Sequence, residues 1–387
     1  MTSQVSAVPF FRHDLSGQDA VAVARVLDTP MLTSGAVGRK VEEQLAAFFG
    51  VPGALLVNSW TNGALTTLFA LGIGRGDEVI VPAMTFISSA NVIEMVGATP
   101  IFVDVDPDTL LVQPERVRAA VTPRTKAILP VHLYGQMCDI AALRAAISDR
   151  PDIRIIEDAA HCFEGSRDGH RPAAFGDVAI FSFYATKNVT CGEGGAIAVR
   201  DEALLAPLTQ ARLHGMTAGA IDRYRNSRYR HWDMVRLGCK GNLPDLLAAL
   251  LPSQITTIEA KLVTRKRLAD AYRAAFSDGP VRVPRQLENA VSAEHAMVIH
   301  VPPAVRDDAI EALNIAGIGV GVHFQSVPST TYYRMRYGFR SEDFPVSYAW
   351  GAGTISLPLY PSLTDGEQRY VIDAVREHVY PMCKHAT

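Results

Sequence analysis

The chain has 387 residues, 48 % of them hydrophobic and 20 % charged, which excludes both a disordered chain and a small scaffold that needs disulfide or metal staples. At ~150 residues per domain, two to three domains are expected. Thirty-seven Lys and Arg against forty Asp and Glu leave a formal charge of -3, with no overall positive field to hold a polyanion, so nucleic acid is not expected as a partner.

Phe10, Phe11, Arg12, His13 and Asp14 come too early for the apolar segment of a signal peptide, and a cytoplasmic location is expected. The stretch Leu45 to Gly74 carries no charged side chain. Gly50, Pro52, Gly53, Asn58, Asn62 and Gly63 break it into pieces shorter than the ~20 apolar residues of a spanning helix, so it reads as buried core and no membrane partner is expected. Apolar spacing and β-branched runs predict helices over Val41–Phe49, Thr61–Leu71, Ser88–Val96, Glu115–Ala120 and Ile140–Ile147. They alternate with strands over Ala54–Val57, Glu78–Val81, Pro100–Val103, Ala127–Pro130 and Ile153–Ile156. That alternation implies an α/β fold with a mostly parallel sheet covered on both faces. Val178–Phe181 and Ala196–Val199 follow with no room for a full helix between them, so some antiparallel pairing is expected. Asp245–Phe276 reads as helical with a break near Pro252, after which Pro and short strands (Val281–Val283, Ala296–Val301, Gly319–Phe324) mark a change of organisation. A large domain over 15–250 and a smaller α+β domain over 251–387 are expected, with residues 1–14 near the active site or the small domain.

Neither Gly72, Gly74, Gly76 nor Gly317, Gly319, Gly321 has the spacing of a dinucleotide fingerprint, and there is no Walker-type Gly-Lys motif. Five dispersed cysteines without a Cys-x-x-Cys pair, and eleven histidines without a ligand-like cluster, give no metal site. The strand Ile153–Ile156 runs into Glu157, Asp158, Ala159, Ala160 and His161, which places two acids at a parallel strand's carboxyl end, where ligands collect. Lys187 lies among Phe181, Phe183, Tyr184, Ala185 and Thr186; poor solvation favours its neutral amine and hence Schiff-base chemistry. A carboxylate that holds a pyridine nitrogen protonated, opposite an amine that holds an aldehyde carbon, is the arrangement pyridoxal phosphate requires. Asn58 to Gly63 turns a buried strand into a helix, whose first amides, with Thr61 and Asn62, suit a phosphate dianion. Ser182 is a candidate hydroxyl donor to the same group, and Phe86 a candidate to lie on the ring face. Singly, each has a plainer reading: Asp158 as a turn residue, Lys187 as a surface lysine, Phe86 as core, His161 as a satisfied histidine and Gly192–Gly195 as a tight turn. Their joint order carries the argument.

The strings EDAAH (157–161), FSFYATKNVTCGEGG (181–195), GIGRGDEVIVPAMTF (72–86), GATPIFVDVDPDTL (97–110) and TPRTKAILPVHLYGQ (122–136) resemble the DegT/DnrJ/EryC1/StrS family of sugar aminotransferases over nearly the whole chain. The resemblance implies the aspartate-aminotransferase-like fold (type I) of pyridoxal-phosphate enzymes, with a seven-stranded sheet and a homodimer that shares its active sites. It assigns Lys187 as the lysine that binds the cofactor, Asp158 as the partner of the pyridine nitrogen, Phe86 as the ring cover, and Ser182, Thr61 and Asn62 to the phosphate, with His161 also in the cofactor set. Among members, the chain looks most like the UDP-4-amino-4-deoxy-L-arabinose-type 4-aminotransferases, through Asn188 to Cys191, Lys240 to Asp245, and Gly317 to Phe324. The usual family pattern has Asn-aromatic-Arg where this chain has Lys240, Gly241 and Asn242, a segment that reaches the neighbouring subunit's phosphate; Lys240 would serve there as a point charge.

Arg228 and Arg230 belong to an arginine-rich segment interleaved with Tyr224, Tyr229 and Trp232, suited to a diphosphate and a nucleobase as much as to a solvated loop. With His323 and Ser34 they complete the expected substrate set. The expected reaction is transamination of a nucleotide-linked keto sugar, a 4-keto sugar by resemblance, with glutamate as amino donor and pyridoxamine phosphate as the intermediate cofactor form. A 3-keto-sugar or cyclitol aminotransferase, and a non-catalytic sensor that retains the fold, are the alternatives.

Overall fold

The computed structural model describes residues 7–217 and 231–385. Its strands are β1 (Gly53–Val57), β2 (Glu78–Pro82), β3 (Thr99–Val103), β4 (Thr125–Ile128), β5 (Arg154–Asp158), β6 (Ser166–Arg167), β7 (Val178–Ser182), β8 (Gly195–Val199), β9 (Ala290–Val291), β10 (Met297–His300) and β11 (Thr354–Leu357). Seven of them form one sheet in the order β1-β8-β7-β5-β4-β2-β3. β3, β2, β4, β5 and β7 run parallel, each pair linked by a helical crossover or long loop, and β8 is antiparallel to both β7 and β1. The short connection from β7 to β8 dictates that reversal, because a parallel return needs a crossover of a dozen residues or more. The strands of the first half lie where apolar runs predict them, and β2 and β8 are buried at every residue.

The charge-free stretch is the end of the helix Ala36–Phe49, then β1, then the helix Trp60–Ala70. Ser59 caps the latter, its hydroxyl accepting from the Asn62 N–H (3.1 Å). Gly63 lets this helix sit directly on the sheet: a Cβ there would lie 3.0 Å from Ile180 Cγ2 and 3.1 Å from Val57 Cγ2. Buried Leu65 and Leu68 lock the contact, each worth about 1.5–3 kcal/mol of removed apolar surface.

Apolar clusters lie on both faces of the sheet, and a separate one surrounds the antiparallel pair β10–β11, the C-terminal half of the helix Pro252–Phe276, and the helices Arg306–Ile315 and Asp365–Ala374. The helical stretch Asp245–Phe276 is long and apolar enough to cross a membrane, yet Ile255 and Ile258 pack into one of the sheet clusters, and Leu268, Tyr272 and Phe276 into the C-terminal one. Two predicted strands are absent as strands. Within Gly319–Phe324 only Gly321 bridges Ser356, and within Val281–Val283 only Arg282 bridges His300. The first segment is divided between two partners: Val8 donates to Gly317 O and accepts from the Gly319 N–H (2.9 Å each), while Gly321 exchanges both its hydrogen bonds with Ser356 (3.0 and 2.8 Å). β11 lies in a region where no strand is predicted.

Candidate active site

β5 ends with two carboxylates whose side chains point to opposite faces of the sheet. Glu157 is wholly buried and fully partnered. Its Oε1 accepts from the backbone N–H groups of Ala173 and Gly176 (3.0 Å each), and its Oε2 accepts from His132 Nε2 (2.8 Å). The Cys138 N–H donates to His132 Nδ1 (3.1 Å), which leaves the imidazole proton on Nε2 for Glu157. Asp158, on the other face, accepts from the Ala160 N–H (3.1 Å) and from Ser89 Oγ (2.9 Å), and Ser89 is in turn bonded to Thr85 Oγ1 (2.9 Å). Burial pushes the Asp158 carboxyl above its usual value, opposed by those hydrogen bonds and the Lys187 charge. No ion pair reaches Asp158 among the described residues.

Lys187 sits in the loop that follows β7, its N–H bonded to Tyr184 O (2.9 Å), while Phe183 N–H pairs with Gly194 O (2.8 Å). Burial lowers the amine to about 8, partly offset by the Asp158 charge. Nζ lies 3.4 Å from His295 Nε2. His161, His295 and His323 gather here, with ring centroids 4.3 Å apart for His161 and His295 and 6.4 Å for His161 and His323. Burial, reinforced by the Lys187 charge, takes His161 and His295 well below the ordinary imidazole range and His323 to about 4, so all three rings are neutral at pH 7.

Asp158 and Lys187 line one cavity of about 400 Å³, together with Trp60, Thr61, Thr85, Phe86, Ser89, His161, Ser182, Tyr184, His323 and Phe324. Pyridoxal phosphate fits these residues. The buried carboxylate lacks a cation of its own, the amine is of depressed basicity, and the amino terminus of helix Trp60–Ala70 brings orphan amides with the Thr61 and Ser182 hydroxyls alongside. Trp60 Nε1, on the same wall, is buried without a hydrogen-bond partner.

Of the expected site residues, the structure brings Thr61, Phe86, Asp158, His161, Ser182, Lys187 and His323 onto this one cavity. Phe86 stands over its mouth, 52 % exposed, with its ring 5.6 Å from that of Phe324. His323 stacks on Phe10 (5.7 Å, 17°) and bonds Ser356 Oγ through Nδ1 (2.8 Å). Four expected residues do not line the cavity. Asn62 uses its side-chain amide on Asn58 (2.7 Å), and Lys240, Asn242 and Ser34 form a separate cluster in which Lys240 Nζ donates to Asn242 Oδ1 (2.5 Å) and Asn242 Nδ2 donates to Ser34 Oγ (2.7 Å). The two groups adjoin, since Asn58 Nδ2 donates to Lys240 O (3.3 Å). Arg228 and Arg230 lie outside the described residues. Sequence reasoning does not single out Ser89 or His295. Ser89 sits three residues after Phe86 in the helix Ile87–Met95, a weak signal; His295 sits in a loop before β10 with no local pattern around it.

The profile of the DegT/DnrJ/EryC1/StrS aminotransferase family matches residues 14–376. Among solved structures, that of Spr1654 from Streptococcus pneumoniae, described as a sugar aminotransferase and solved in its PMP form, is 29 % identical with a TM-score of 0.90, covering 98 % of this chain and 100 % of its own. DesV of S. venezuelae is 31 % identical with a TM-score of 0.87, covering 96 % of this chain and 98 % of its own. A DegT DnrJ EryC1 StrS aminotransferase from Brucella abortus is 31 % identical with a TM-score of 0.84, covering 93 % and 94 % respectively. Built on the fold type I architecture, with a buried acid and a lysine on the walls of one cavity, the chain belongs to the DegT/DnrJ/EryC1/StrS aminotransferase family, whose cofactor is pyridoxal phosphate.

Proposed function

We propose that the protein moves an amino group from an amino acid, with glutamate as donor, to a nucleotide-linked keto sugar, a 4-keto sugar, and releases the amino sugar. The observation that carries this reading is the placement of Asp158 and Lys187 on the walls of one 400 Å³ cavity. The sugar as acceptor is supported by the description of Spr1654 as a sugar aminotransferase at 29 % identity over 98 % of the chain. Bound pyridoxal phosphate supplies an electron sink that makes the Cα proton of the amino acid acidic. The residues divide the remaining work. Asp158 holds a proton at the ring nitrogen; Lys187, with its amine near 8, takes and returns a proton at about neutral pH. Thr61, Ser182 and the first amides of the helix Trp60–Ala70 hold the phosphate, and Phe86 covers the ring face. The neutral imidazoles of His161 and His323 add no positive charge to compete with the cofactor's proton on Asp158.

A homodimer in the cytoplasm, with a large portion over 15–250 and a small one over 251–387, is part of the proposal. Phe86 and Tyr184 line the cavity and are still 52 % and 47 % exposed, a surface that a second copy would cover, and the Lys240, Asn242 and Ser34 cluster would then face the partner's phosphate. The test is to load the protein with pyridoxamine phosphate and screen UDP-, dTDP- and GDP-linked keto sugars for return of the pyridoxal-form absorbance. Return with a nucleotide-linked 4-keto sugar supports the reading; return only with a free cyclitol or a 3-keto sugar overturns the substrate assignment. Lys187→Ala should keep its fold by circular dichroism and lose turnover by ~10⁴-fold or more.

A further inference from the structure

Behind Lys187 a buried chain of hydrogen bonds runs away from the cavity. Arg265 Nη1 donates to Glu164 Oε1 (2.8 Å), and both side chains are buried, at 4 % and 0 % exposure. Asn188 Nδ2 donates to the same Glu164 oxygen (2.8 Å) and to Ala293 O (2.8 Å), while Arg265 Nη2 donates to Asn188 O (3.2 Å). Two acceptors on its nitrogen fix the Asn188 amide, because a flip would set oxygen against oxygen at both. Asn188 Oδ1 therefore accepts from His295 Nδ1 (3.1 Å), which puts the ring proton on Nδ1 and the lone pair on Nε2, 3.4 Å from Lys187 Nζ. His161 differs: its Nδ1 accepts from the Tyr134 N–H (3.3 Å), so its Nε2 is a donor.

We infer that His295 is the positioning residue of the Lys187 amine, locked in one tautomer by the chain Arg265, Glu164 and Asn188, with its Nε2 lone pair aimed at Nζ. Either protonation state of the amine can donate into that lone pair, so the contact persists while Lys187 exchanges its proton. An acceptor favours the ammonium, against the burial that lowers the amine. The charged and titratable groups that face this pair are His161, His323 and Asp158 from the cavity side and Glu164 and Arg265 from behind; burial, reinforced by the Lys187 and Arg265 charges, disfavours a proton on His295. The ring thus remains an acceptor across the pH range in which the amine titrates.

The inference rests on Lys187 as the amine that carries the cofactor, and the test separates the two. In apoprotein, a pulse of an amine-acetylating reagent at a series of pH values, read by mass spectrometry of the Lys187 peptide, gives the midpoint of the amine. The wild type should give about 8. His295→Phe, which keeps ring volume but has no lone pair, should lower the midpoint by about one pH unit, and His295→Gln, which retains an acceptor, should stay within about 0.3 of the wild type. An unchanged midpoint in His295→Phe overturns the inference. A second measurement needs no variant: ¹⁵N-histidine spectra of the wild type should show the Nδ1–H tautomer for His295 between pH 6.5 and 9, and an Nε2–H or doubly protonated ring overturns it. Borohydride reduction of the cofactor-loaded wild type, followed by peptide mapping, independently shows whether the cofactor is fixed on Lys187.

Discussion

The two faces of the sheet at the end of β5 hold adjacent acids that differ in almost every respect. Glu157 has no exposed surface and three hydrogen-bond donors from protein: two backbone amides and one imidazole. Asp158 has two, from Ala160 and Ser89, and its remaining lone pairs face the cavity. A wholly buried carboxylate with protein donors on both oxygens is a structural pin, since neither oxygen is open to a ligand. An undersaturated one, held at a strand end and pushed up by burial, is poised to take a positively charged partner. One position along the strand separates the two roles, because the side-chain period of two sends neighbours to opposite faces.

Substitutions break this contrast in order of expected effect. Asp158→Asn should lower the rate of each half-reaction by at least ~10²-fold, because an amide cannot hold the proton at the ring nitrogen. Its stability should change little: the amide oxygen still accepts from Ala160, and the Ser89 hydroxyl can turn to face an NH₂ group. Stopped-flow absorbance with glutamate and a denaturant melt together check both halves of that expectation. Glu157→Gln should do the reverse. Its NH₂ group must face the His132 Nε2 proton, a donor against a donor, at a cost of about 2–3 kcal/mol in the unfolding free energy from chemical denaturation, while the rate per folded molecule stays within about 3-fold. A large rate loss there, with stability intact, would sink the comparison. Ser89→Ala removes one hydrogen bond to the carboxylate and leaves Thr85 Oγ1 without that partner, so a rate loss of about 5-fold is expected together with a loss of about 1–2 kcal/mol in a denaturant melt.

The contrast also shows what a sequence displays and what it hides. Asp158 and Lys187 are legible because their signals are local: an acid at the end of an apolar run, and a lysine among aromatic and small residues. The sheet is legible for the same reason, strand by strand. The choice of Asp158 over Glu157 is legible only in company with Lys187 and the family resemblance, because alternation sets the two acids apart but does not by itself say which face carries the ligand. Ser89 and His295 are hidden because their meaning lies in contacts 69 and 108 residues away in the chain. The same limit explains Gly319–Phe324, whose β-like pattern cannot reveal that Val8 pairs at its first residue and Ser356 at its third. The Lys240 segment reads as phosphate machinery, but within one chain it satisfies itself through Asn242 and Ser34.

The helix Pro252–Phe276 has 25 residues, a rod of about 37 Å, and its two ends are cemented into different apolar clusters. Arg265 lies between those anchored ends and reaches sideways into the chain of bonds behind Lys187. The helix thus works as a strut that spans both clusters and, at its middle, braces the residue next to Lys187, because Arg265 Nη2 donates to Asn188 O (3.2 Å).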